Sequence, residues 1–323
     1  MNYGIVKPVL AAFFISVALS PLMIRYLHKL KFGQFIRGEG PESHLKKSGT
    51  PTMGGLIILL GIVVASLFYV KNYPAVIPIL FVTLGFGFIG FIDDYIKVVM
   101  KRNLGLKAWQ KMLGQILVTG IFAYYLINYT DTGTLMLIPF THGKYLDLGM
   151  FFVPGIFLIL LGTVNGANFT DGLDGLASSV TVLIATFFTV AAVGMGASGN
   201  DPGIWPISCA TVGSLLGFLV FNVYPARVFM GDTGSLALGG FVAATAVMLK
   251  LPLFIPIVAF IYMIEVISVM LQVCYFKATG GKRLFKMAPI HHHFELSGWP
   301  ETKVVAIFAI ITAVCCLIGL VAI

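Results

Sequence analysis

Five aspartates in three short segments are the residues of this sequence best suited to bind a divalent metal ion. Asp93 and Asp94 lie in "GFIDDYIKVV", Asp171 and Asp174 in "NGANFTDGLDGLA", and Asp232 in "YPARVFMGDTGS". Mg2+ prefers oxygen ligands and is usually bound by one or two carboxylates together with substrate phosphates. The segments therefore indicate a Mg2+ site, provided that the fold brings them together.

The last two of these segments also combine glycine with Asp, Asn and Thr directly before an expected helix. Backbone N–H groups at a helix start can approach an anion closely, and the helix dipole favours its negative charge. Neither segment has the spacing of a Walker A loop or a Rossmann fingerprint, so each alone is a weak signal. Together with the aspartates they indicate a phosphate held beside a divalent metal.

Helix capping is the alternative explanation for some of the aspartates. Asp171 could be the N-cap of the helix that follows it, and Asp232 could cap another. Asp93 and Asp94 resist this explanation because we expect them at the end of a helix, where the dipole disfavours anions. A functional role is therefore favoured for that pair.

Three consecutive histidines, His291, His292 and His293, lie in "PIHHHFELSGW". Adjacent side chains diverge around a helix and alternate across a strand, so the run does not form a ready zinc site. The remaining alternatives are contact with an anionic ligand and a loop at headgroup level whose histidines hydrogen-bond lipid phosphates.

The elements that must position these groups are membrane helices. The chain is 58% hydrophobic and 11% charged, whereas about a quarter of an ordinary soluble domain is charged. We predict an all-α, polytopic integral membrane protein, a single domain over residues 1–323, because apolar runs of about 20 residues recur throughout. About ten transmembrane helices are predicted, over residues 5–27, 53–70, 74–92, 112–128, 148–166, 176–196, 205–223, 235–249, 251–275 and 303–323.

Three further features are predicted. The ninth span is long enough that it should tilt or bend in the bilayer. Residues 129–147, between the fourth and fifth spans, could form a small hairpin. Glu265, the acid placed inside the ninth span, is interpreted as a buried, hydrogen-bonded helix residue.

The charges predict the orientation of the spans. Of the 21 Lys and Arg residues, all but Lys7, Lys71, Lys144 and Lys250 lie on the side of the loops that follow odd-numbered spans. By the positive-inside rule that side is cytoplasmic, and both termini face outward. The net charge of +8 is thus largely a topology signal, and nucleic-acid binding is not indicated.

All five aspartates then lie at the cytoplasmic face, where most lysines also lie. Transfer of a phosphoryl-linked group brings two anions together, and two unit charges about 4 Å apart repel by about 4 kcal/mol at an effective dielectric of 20. Mg2+ and nearby Lys or Arg can offset this repulsion. A soluble phosphorylated donor and a lipid phosphate acceptor could meet at such a face of the bilayer.

At the level of whole motifs, the sequence resembles the phospho-N-acetylmuramoyl-pentapeptide transferase family, within the polyprenyl-phosphate N-acetylhexosamine-1-phosphate transferase superfamily. The motifs that carry the resemblance are "SHLKKSGTPTMGG", "FIDDYIKV", "NGANFTDGLDGLA", "FMGDTGSLALGG" and "PIHHHFELSGWPETKV", in family order from about residue 43 to 305. The resemblance implies a multi-pass, Mg2+-dependent enzyme of the bacterial inner (cytoplasmic) membrane, and suggests a homodimer. Its expected reaction, the first membrane step of peptidoglycan biosynthesis, moves phospho-MurNAc-pentapeptide from UDP-MurNAc-pentapeptide to undecaprenyl phosphate, giving lipid I and UMP.

The resemblance also implies residue roles. Asp232 would be the main Mg2+ ligand, and Asp93 and Asp94 the paired catalytic aspartates, one of which would deprotonate the lipid phosphate. Whether attack is direct or passes through a covalent aspartyl intermediate stays open. His291, expected to be catalytic, would contact the donor's phosphates or sugar together with His292 and His293. The other expected substrate-binding residues are Lys47, Thr52 and Lys111 near the diphosphate, Asn165, Asn168, Asp171, Gly172, Leu173 and Asp174 in the uridine and metal region, Phe229 near the uracil, and Asn222.

Two rival functions remain from the sequence. A relative that uses UDP-GlcNAc or another UDP-amino sugar with the same acceptor would share the aspartate motifs, and the histidine motif argues against it. A transporter or channel could also have ten spans with broken helices. Such a protein should place its ionisable groups near the midplane between inverted repeats, whereas these acids gather at one face.

Overall fold

The computed structural model describes residues 3–29, 47, 49–100, 105–130, 134–197 and 202–323. Helices and one short hairpin account for nearly all the regular structure of these residues. The helices are α1 (Val6–Lys29), α2 (Gly55–Leu67), α3 (Val76–Val99), α4 (Ala108–Tyr129), α5 (Phe152–Thr170), α6 (Leu176–Ala197), α7 (Trp205–Asn222), α8 (Gly231–Met248), α9 (Ile255–Val258), α10 (Phe260–Ala278), α11 (Ile290–Glu295) and α12 (Glu301–Ala322). The strands β1 (Leu135–Leu137) and β2 (Tyr145–Asp147) pair antiparallel.

Eight of the described helices are long and apolar enough to cross a membrane: α1, α3, α4, α5, α6, α7, α10 and α12. Their outer faces carry large apolar side chains that a soluble protein would bury, such as Phe14 on α1 and Phe88 on α3, which are 62% and 63% exposed. Exposed apolar surface on this scale is favourable only in contact with lipid or a protein partner. The chain is therefore a polytopic, mostly helical membrane protein, as its composition predicts.

Helix α8 lies at the centre of the bundle. Every residue from Thr233 to Val247 is buried, and α8 packs mainly against α3 and α5 and also against α2. Its neighbours approach closely because glycines form the contacts. A Cβ at Gly90 would overlap the carbonyl of Asp232, and one at Gly55 would overlap the backbone of Gly234. The first turn of α8 is thereby held against α2 and α3, which positions the site.

The ninth predicted span is interrupted, as its length predicts. After a turn at Pro252–Phe254, α9 ends at Val258 and α10 begins at Phe260, with Ala259 between them at φ −105° and ψ 33°.

The predicted hairpin is also present, with Leu135 opposite Asp147 and Leu137 opposite Tyr145. It is tied to the bundle by bonds from Leu137 N to the Lys250 carbonyl and from Phe140 N to the Ala322 carbonyl.

The structure corrects three predictions about helix ends. Helix α3 continues to Val99, so Asp93 and Asp94 lie inside its last two turns and not at its end. Asp171 follows the last residue of α5 as its C-cap, and α6 begins only at Leu176, so an N-cap role for Asp171 is wrong. Asp232 lies within the first turn of α8, whose N-cap is Met230, and does not cap that helix.

Candidate active site

Three of the five aspartates meet where α3 crosses the start of α8. Asp93, Asp94 and Asp232 each place one carboxylate oxygen within 4.8 Å of the others. Asp93 and Asp94 are each only 3% exposed. The meeting depends on the glycine contact one turn earlier on α3, because Gly90 lets the backbone of that helix approach Asp232. Three buried carboxylates at this separation repel one another and require cations.

Asp94 is held by the first turn of α8. Its Oδ2 accepts hydrogen bonds from Thr233 N at 2.8 Å and Thr233 Oγ1 at 2.6 Å, and its Oδ1 accepts one from Asp232 N at 3.2 Å. The N–H groups at a helix start lack partners within the helix, and the helix dipole favours an anion there. Asp94 therefore caps α8 from a neighbouring helix, and both of its oxygens have donors.

The partners of Asp93 and Asp232 can be exchanged more readily than those of Asp94. Asp93 Oδ1 accepts a bond from Leu106 N at 2.8 Å, and its Oδ2 lies 2.5 Å from Lys97 Nζ. The same ammonium lies 2.9 Å from Asp232 Oδ2, and Lys111 Nζ approaches that oxygen to 3.2 Å. Lysines thus balance much of the charge of the carboxylates, from side chains that remain partly exposed.

Asn168 completes the surroundings of Asp232. Its Nδ2 donates to Asp232 Oδ1 at 2.8 Å and to Ser235 Oγ at 2.9 Å, while its Oδ1 accepts from Lys111 Nζ at 3.1 Å. Thr52 lies on the opposite side of the α8 start, where its hydroxyl and Asp94 both border Gly231. Among the predicted site residues, Lys111, Asn168 and Thr52 are therefore brought to the aspartates.

The loop between α5 and α6 borders the same cluster. Burial and the negative charges of Asp232 and Asp94 raise the pKa of Asp171 well above its ordinary value. A cation bound nearby would favour the ionised form of Asp171. The next residues turn away from the cluster: Gly172 contacts His291, and Leu173 is buried.

A second ionic group joins this loop to the start of α12. Lys47 Nζ donates to Asp174 Oδ1 at 2.7 Å and to Glu301 Oε1 at 2.6 Å. Backbone groups add to it, because Asp174 N donates to Glu301 Oε1 at 2.7 Å and Ala226 N to Asp174 Oδ2 at 2.9 Å. Burial disfavours the Lys47 ammonium, but the hydrogen bonds to Asp174 and Glu301 outweigh it and raise the pKa of Lys47. We call Lys47, Asp174 and Glu301 the α12 ion triad.

The three histidines bind different partners, but the expected divergence is wrong for two of them, because the ring centroids of His291 and His292 lie 4.1 Å apart. His291 Nδ1 lies 3.0 Å from Glu265 Oε1, and His292 Nδ1 lies 2.9 Å from Glu295 Oε2. His293 Nδ1 accepts a hydrogen bond from Lys286 N at 3.2 Å. Only His291 is fully buried, and it contacts the α5–α6 loop at Gly172.

Three predicted site residues form contacts apart from the aspartate cluster. The amide of Asn165 pairs with that of Gln115 and donates to the Leu161 carbonyl. Asn222 accepts from Ser178 and donates to the Val228 carbonyl, so it holds the segment before α8. Phe229 is bonded through its backbone to Pro51 and Gly54, with its ring half-buried.

Sequence reasoning missed three residues that contact the predicted site. Lys97 binds two of the three clustered aspartates, and its spacing of four residues from Asp93 on one helix was a usable signal. Glu301 joins the α12 ion triad, and Glu265 binds His291. For these two, the partners lie far away in the sequence, so no local pattern could have identified the contact.

Comparisons with known proteins agree with this geometry. Residues 76–250 match the family Glycosyl transferase family 4, and residues 47–59 match phospho-N-acetylmuramoyl-pentapeptide-transferase signature 1. The phospho-N-acetylmuramoyl-pentapeptide-transferase of Clostridium kluyveri is 51% identical over 320 residues, 98% of each chain. That of Clostridium novyi is 54% identical over 314 residues, covering 96% of this chain and 94% of the relative. With the resemblance of its motifs thus confirmed over nearly its whole length, the chain belongs to the phospho-N-acetylmuramoyl-pentapeptide transferase family.

Proposed function

We propose that this chain transfers phospho-MurNAc-pentapeptide from UDP-MurNAc-pentapeptide to undecaprenyl phosphate, giving lipid I and UMP in peptidoglycan synthesis. The observation that carries the proposal is the group of Asp93, Asp94 and Asp232 with Lys97 and Lys111 at the end of a membrane helix bundle. Transferases of that name are 51% and 54% identical to this chain over nearly its full length, which supports the same reaction.

Mg2+ is the proposed cofactor, with Asp232 as its main ligand. The donor set fits that ion, because the three clustered side chains offer only carboxylate oxygens, and Mg2+ prefers oxygen ligands shared with substrate phosphate. When bound, Mg2+ would neutralise the diphosphate charge that develops as the donor is cleaved. Lys97 and Lys111 lie against Asp232 and would share that task.

The two neighbouring aspartates take different roles in this proposal. Both oxygens of Asp94 accept hydrogen bonds from the start of α8, so Asp94 positions Asp232. Asp93 Oδ2 is paired with the ammonium of the partly exposed Lys97. We assign Asp93 to accept the proton of the lipid phosphate, since the displacement of Lys97 would free that oxygen without breaking a helix contact.

The donor would lie along the α5–α6 loop. Asp171, Gly172, Leu173 and Asp174 form that loop, and Lys47 binds Asp174 within it. Thr52, Asn168 and Phe229 lie at or just before the start of α8 and would contact the donor from there. His291, His292 and His293 approach from α11 and would contact the sugar or phosphates. Asn165 and Asn222 have their amides bound within the protein, so we assign them to support of this region.

The topology belongs to the same proposal. We place all ten predicted spans in the bacterial inner membrane as one domain, with both termini outside and the aspartates at the cytoplasmic face, where the donor is soluble. The distribution of Lys and Arg supports this orientation. A homodimer remains the expected assembly.

Release of UMP tests the proposal. Purified protein in detergent or nanodiscs is mixed with undecaprenyl phosphate, Mg2+ and either UDP-MurNAc-pentapeptide or UDP-GlcNAc. We expect Mg2+-dependent UMP and labelled lipid I only with the first donor. Turnover of UDP-GlcNAc alone would establish the rival transferase, and no UMP from either donor would contradict the proposal.

A further inference from the structure

Glu265 and His291 form a polar pair inside the protein, and the ring of His292 packs beside that of His291 with the centroids 4.1 Å apart. Glu265 lies on α10 and His291 on α11, and both are 0% exposed. Glu265 Oε1 lies 3.0 Å from His291 Nδ1. The second polar atom of each side chain, Glu265 Oε2 and His291 Nε2, has no hydrogen-bond partner among the described residues.

Such a pair is costly to bury. A polar group removed from water without a hydrogen bond costs roughly 1 to 3 kcal/mol in proteins, and this pair carries two unpartnered atoms. Apolar residues of similar size at these positions would often be neutral or stabilising. A contribution to the stability of the protein therefore does not explain why this pair is buried.

The free nitrogen of His291 is directed at the α5–α6 loop. A Cβ added to Gly172 would overlap Nε2 of His291, so the ring packs edge-on against the backbone of that residue. Gly172 adjoins Asp171, whose pKa is raised by burial and by the negative charges of Asp232 and Asp94. Gly172 and Asp171 thus lie between the imidazole and the aspartate cluster.

The carboxylate of Glu265 explains how the ring is oriented. A carboxylate only accepts hydrogen bonds, so the facing Nδ1 of His291 must carry the hydrogen. When a carboxylate binds one ring nitrogen, it fixes both the tautomer and the orientation of the imidazole. Nε2 is then directed at the loop in a single arrangement.

We propose that Glu265 is a positioning residue, which binds Nδ1–H of His291 and thereby directs Nε2 at the α5–α6 loop for contact with the sugar-diphosphate donor. The inference deepens the proposed function and rests on it. Glu265 itself touches neither the loop nor the aspartates in any described contact, so its effect on turnover passes through His291.

Two substitutions at residue 265 separate positioning from packing. Glu265→Gln keeps an oxygen that can accept the Nδ1–H bond, whereas Glu265→Leu keeps the approximate volume and removes the acceptor. We expect Glu265→Leu to lower the melting temperature, because Nδ1 of His291 loses its partner, and to lower kcat by about 10- to 100-fold, the range found when groups that orient metal-binding histidines are removed. Glu265→Gln should recover most of that loss.

Thr312→Val is the control, because it likewise replaces a buried polar group, here a hydroxyl on α12, by an apolar group of similar size. Thr312 bonds only to the Phe308 carbonyl of its own helix among the described residues. We expect wild-type kcat from this variant. A similar loss of kcat in Thr312→Val and Glu265→Leu would attribute the effect to bundle packing and overturn the proposal.

A double-mutant cycle tests whether Glu265 acts through His291. His291→Ala should lower kcat, and Glu265→Leu should cause no further loss in that background, because coupled residues are not additive. If the double variant instead shows the product of the two single-variant losses in kcat, the proposal is overturned.

Nitrogen NMR of the histidines gives a readout that does not depend on turnover. In protein with 15N-labelled histidine, the resonances absent from His291→Ala belong to His291. We expect a protonated Nδ1 in wild type and Glu265→Gln, and loss of that tautomer preference in Glu265→Leu. An unprotonated Nδ1 in the wild-type protein overturns the proposal even if neither Glu265 variant folds. Absence of UMP release with the expected tautomer present would instead contradict only the proposed function.

Discussion

The aspartate cluster and the α12 ion triad both combine carboxylates with lysine, yet they differ in what holds the carboxylates. In the cluster, Asp93 and Asp94 accept backbone N–H bonds, but the partners of the Asp232 carboxylate in the described part of the chain are the side chains of Lys97, Lys111 and Asn168. In the triad, backbone N–H groups of Asp174 and Ala226 bind the two carboxylates in addition to Lys47. Side-chain partners can exchange for an incoming cation, whereas backbone partners fix a loop. The first region is therefore suited to ligand exchange and the second to structure.

Replacement of Asp232 should give the largest effect, because it removes the proposed main metal ligand. We expect Asp232→Ala to reduce Mg2+-dependent UMP release by at least about 10²- to 10³-fold, the scale for loss of a preorganised electrostatic group. Asp147→Ala, at the exposed hairpin, is the control and should retain activity. Near-normal UMP release from folded Asp232→Ala would remove Asp232 from the metal site.

Gly90→Ala tests whether the glycine contact creates the cluster. An added methyl group would overlap the Asp232 carbonyl, and overpacking of this kind typically costs about 1 to 3 kcal/mol. We expect a lower melting temperature together with weaker Mn2+ binding. The matched control is Gly162→Ala on α5, where a Cβ meets nothing within 4 Å, and equal effects of the two substitutions would contradict this account.

Lys97→Met tests whether the cluster exchanges its cations. Lys97 Nζ lies within 2.9 Å of both Asp93 and Asp232, so its removal relieves repulsion toward a metal ion. We expect about tenfold tighter Mn2+ binding, equivalent to about 1.4 kcal/mol, with slower UMP release. Electron paramagnetic resonance of free Mn2+ gives the affinity without substrate. Weaker binding would show that Lys97 organises the carboxylates and does not compete with the metal.

Lys47→Met tests the structural role of the triad and should leave Mn2+ affinity unchanged. We expect a modest loss of stability, about 1 kcal/mol, because Lys47 is partly exposed. The pKa of Lys47 is raised above its ordinary 10.5, so the stabilisation is complete below that value and disappears as the pH rises through the folded-state pKa. The difference in melting temperature between wild type and Lys47→Met should stay constant from pH 7 to 9 and shrink above pH 10.5. A difference that shrinks below pH 9 would contradict this assignment.

The sequence predicted the membrane class, the interrupted ninth span and the hairpin because each depends on local composition. It also indicated that the five aspartates could converge, since all lie on one predicted side; Asp93, Asp94 and Asp232 do so, whereas Asp174 joins the α12 ion triad. The end of α3 was misplaced because a polar residue was taken to end the helix. In the bundle, Asp93 and Asp94 are satisfied by Leu106 and Thr233, so the helix continues through them.

The contacts between distant segments could not be predicted. Glu265 and His291 are 26 positions apart, and Lys47 and Glu301 are 254 apart. Nothing local in either segment identifies its partner, because the pairing follows from how α10, α11 and α12 pack. Packing of this kind is decided by the shapes of many side chains together.

The complete burial of α8 has a consequence for inhibition. Its first turn carries Asp232 and is in backbone contact with α2 and α3, so this wall of the site presents nearly the same shape to every ligand. A compound that draws its affinity from this wall should tolerate little chemical variation in the groups that face it.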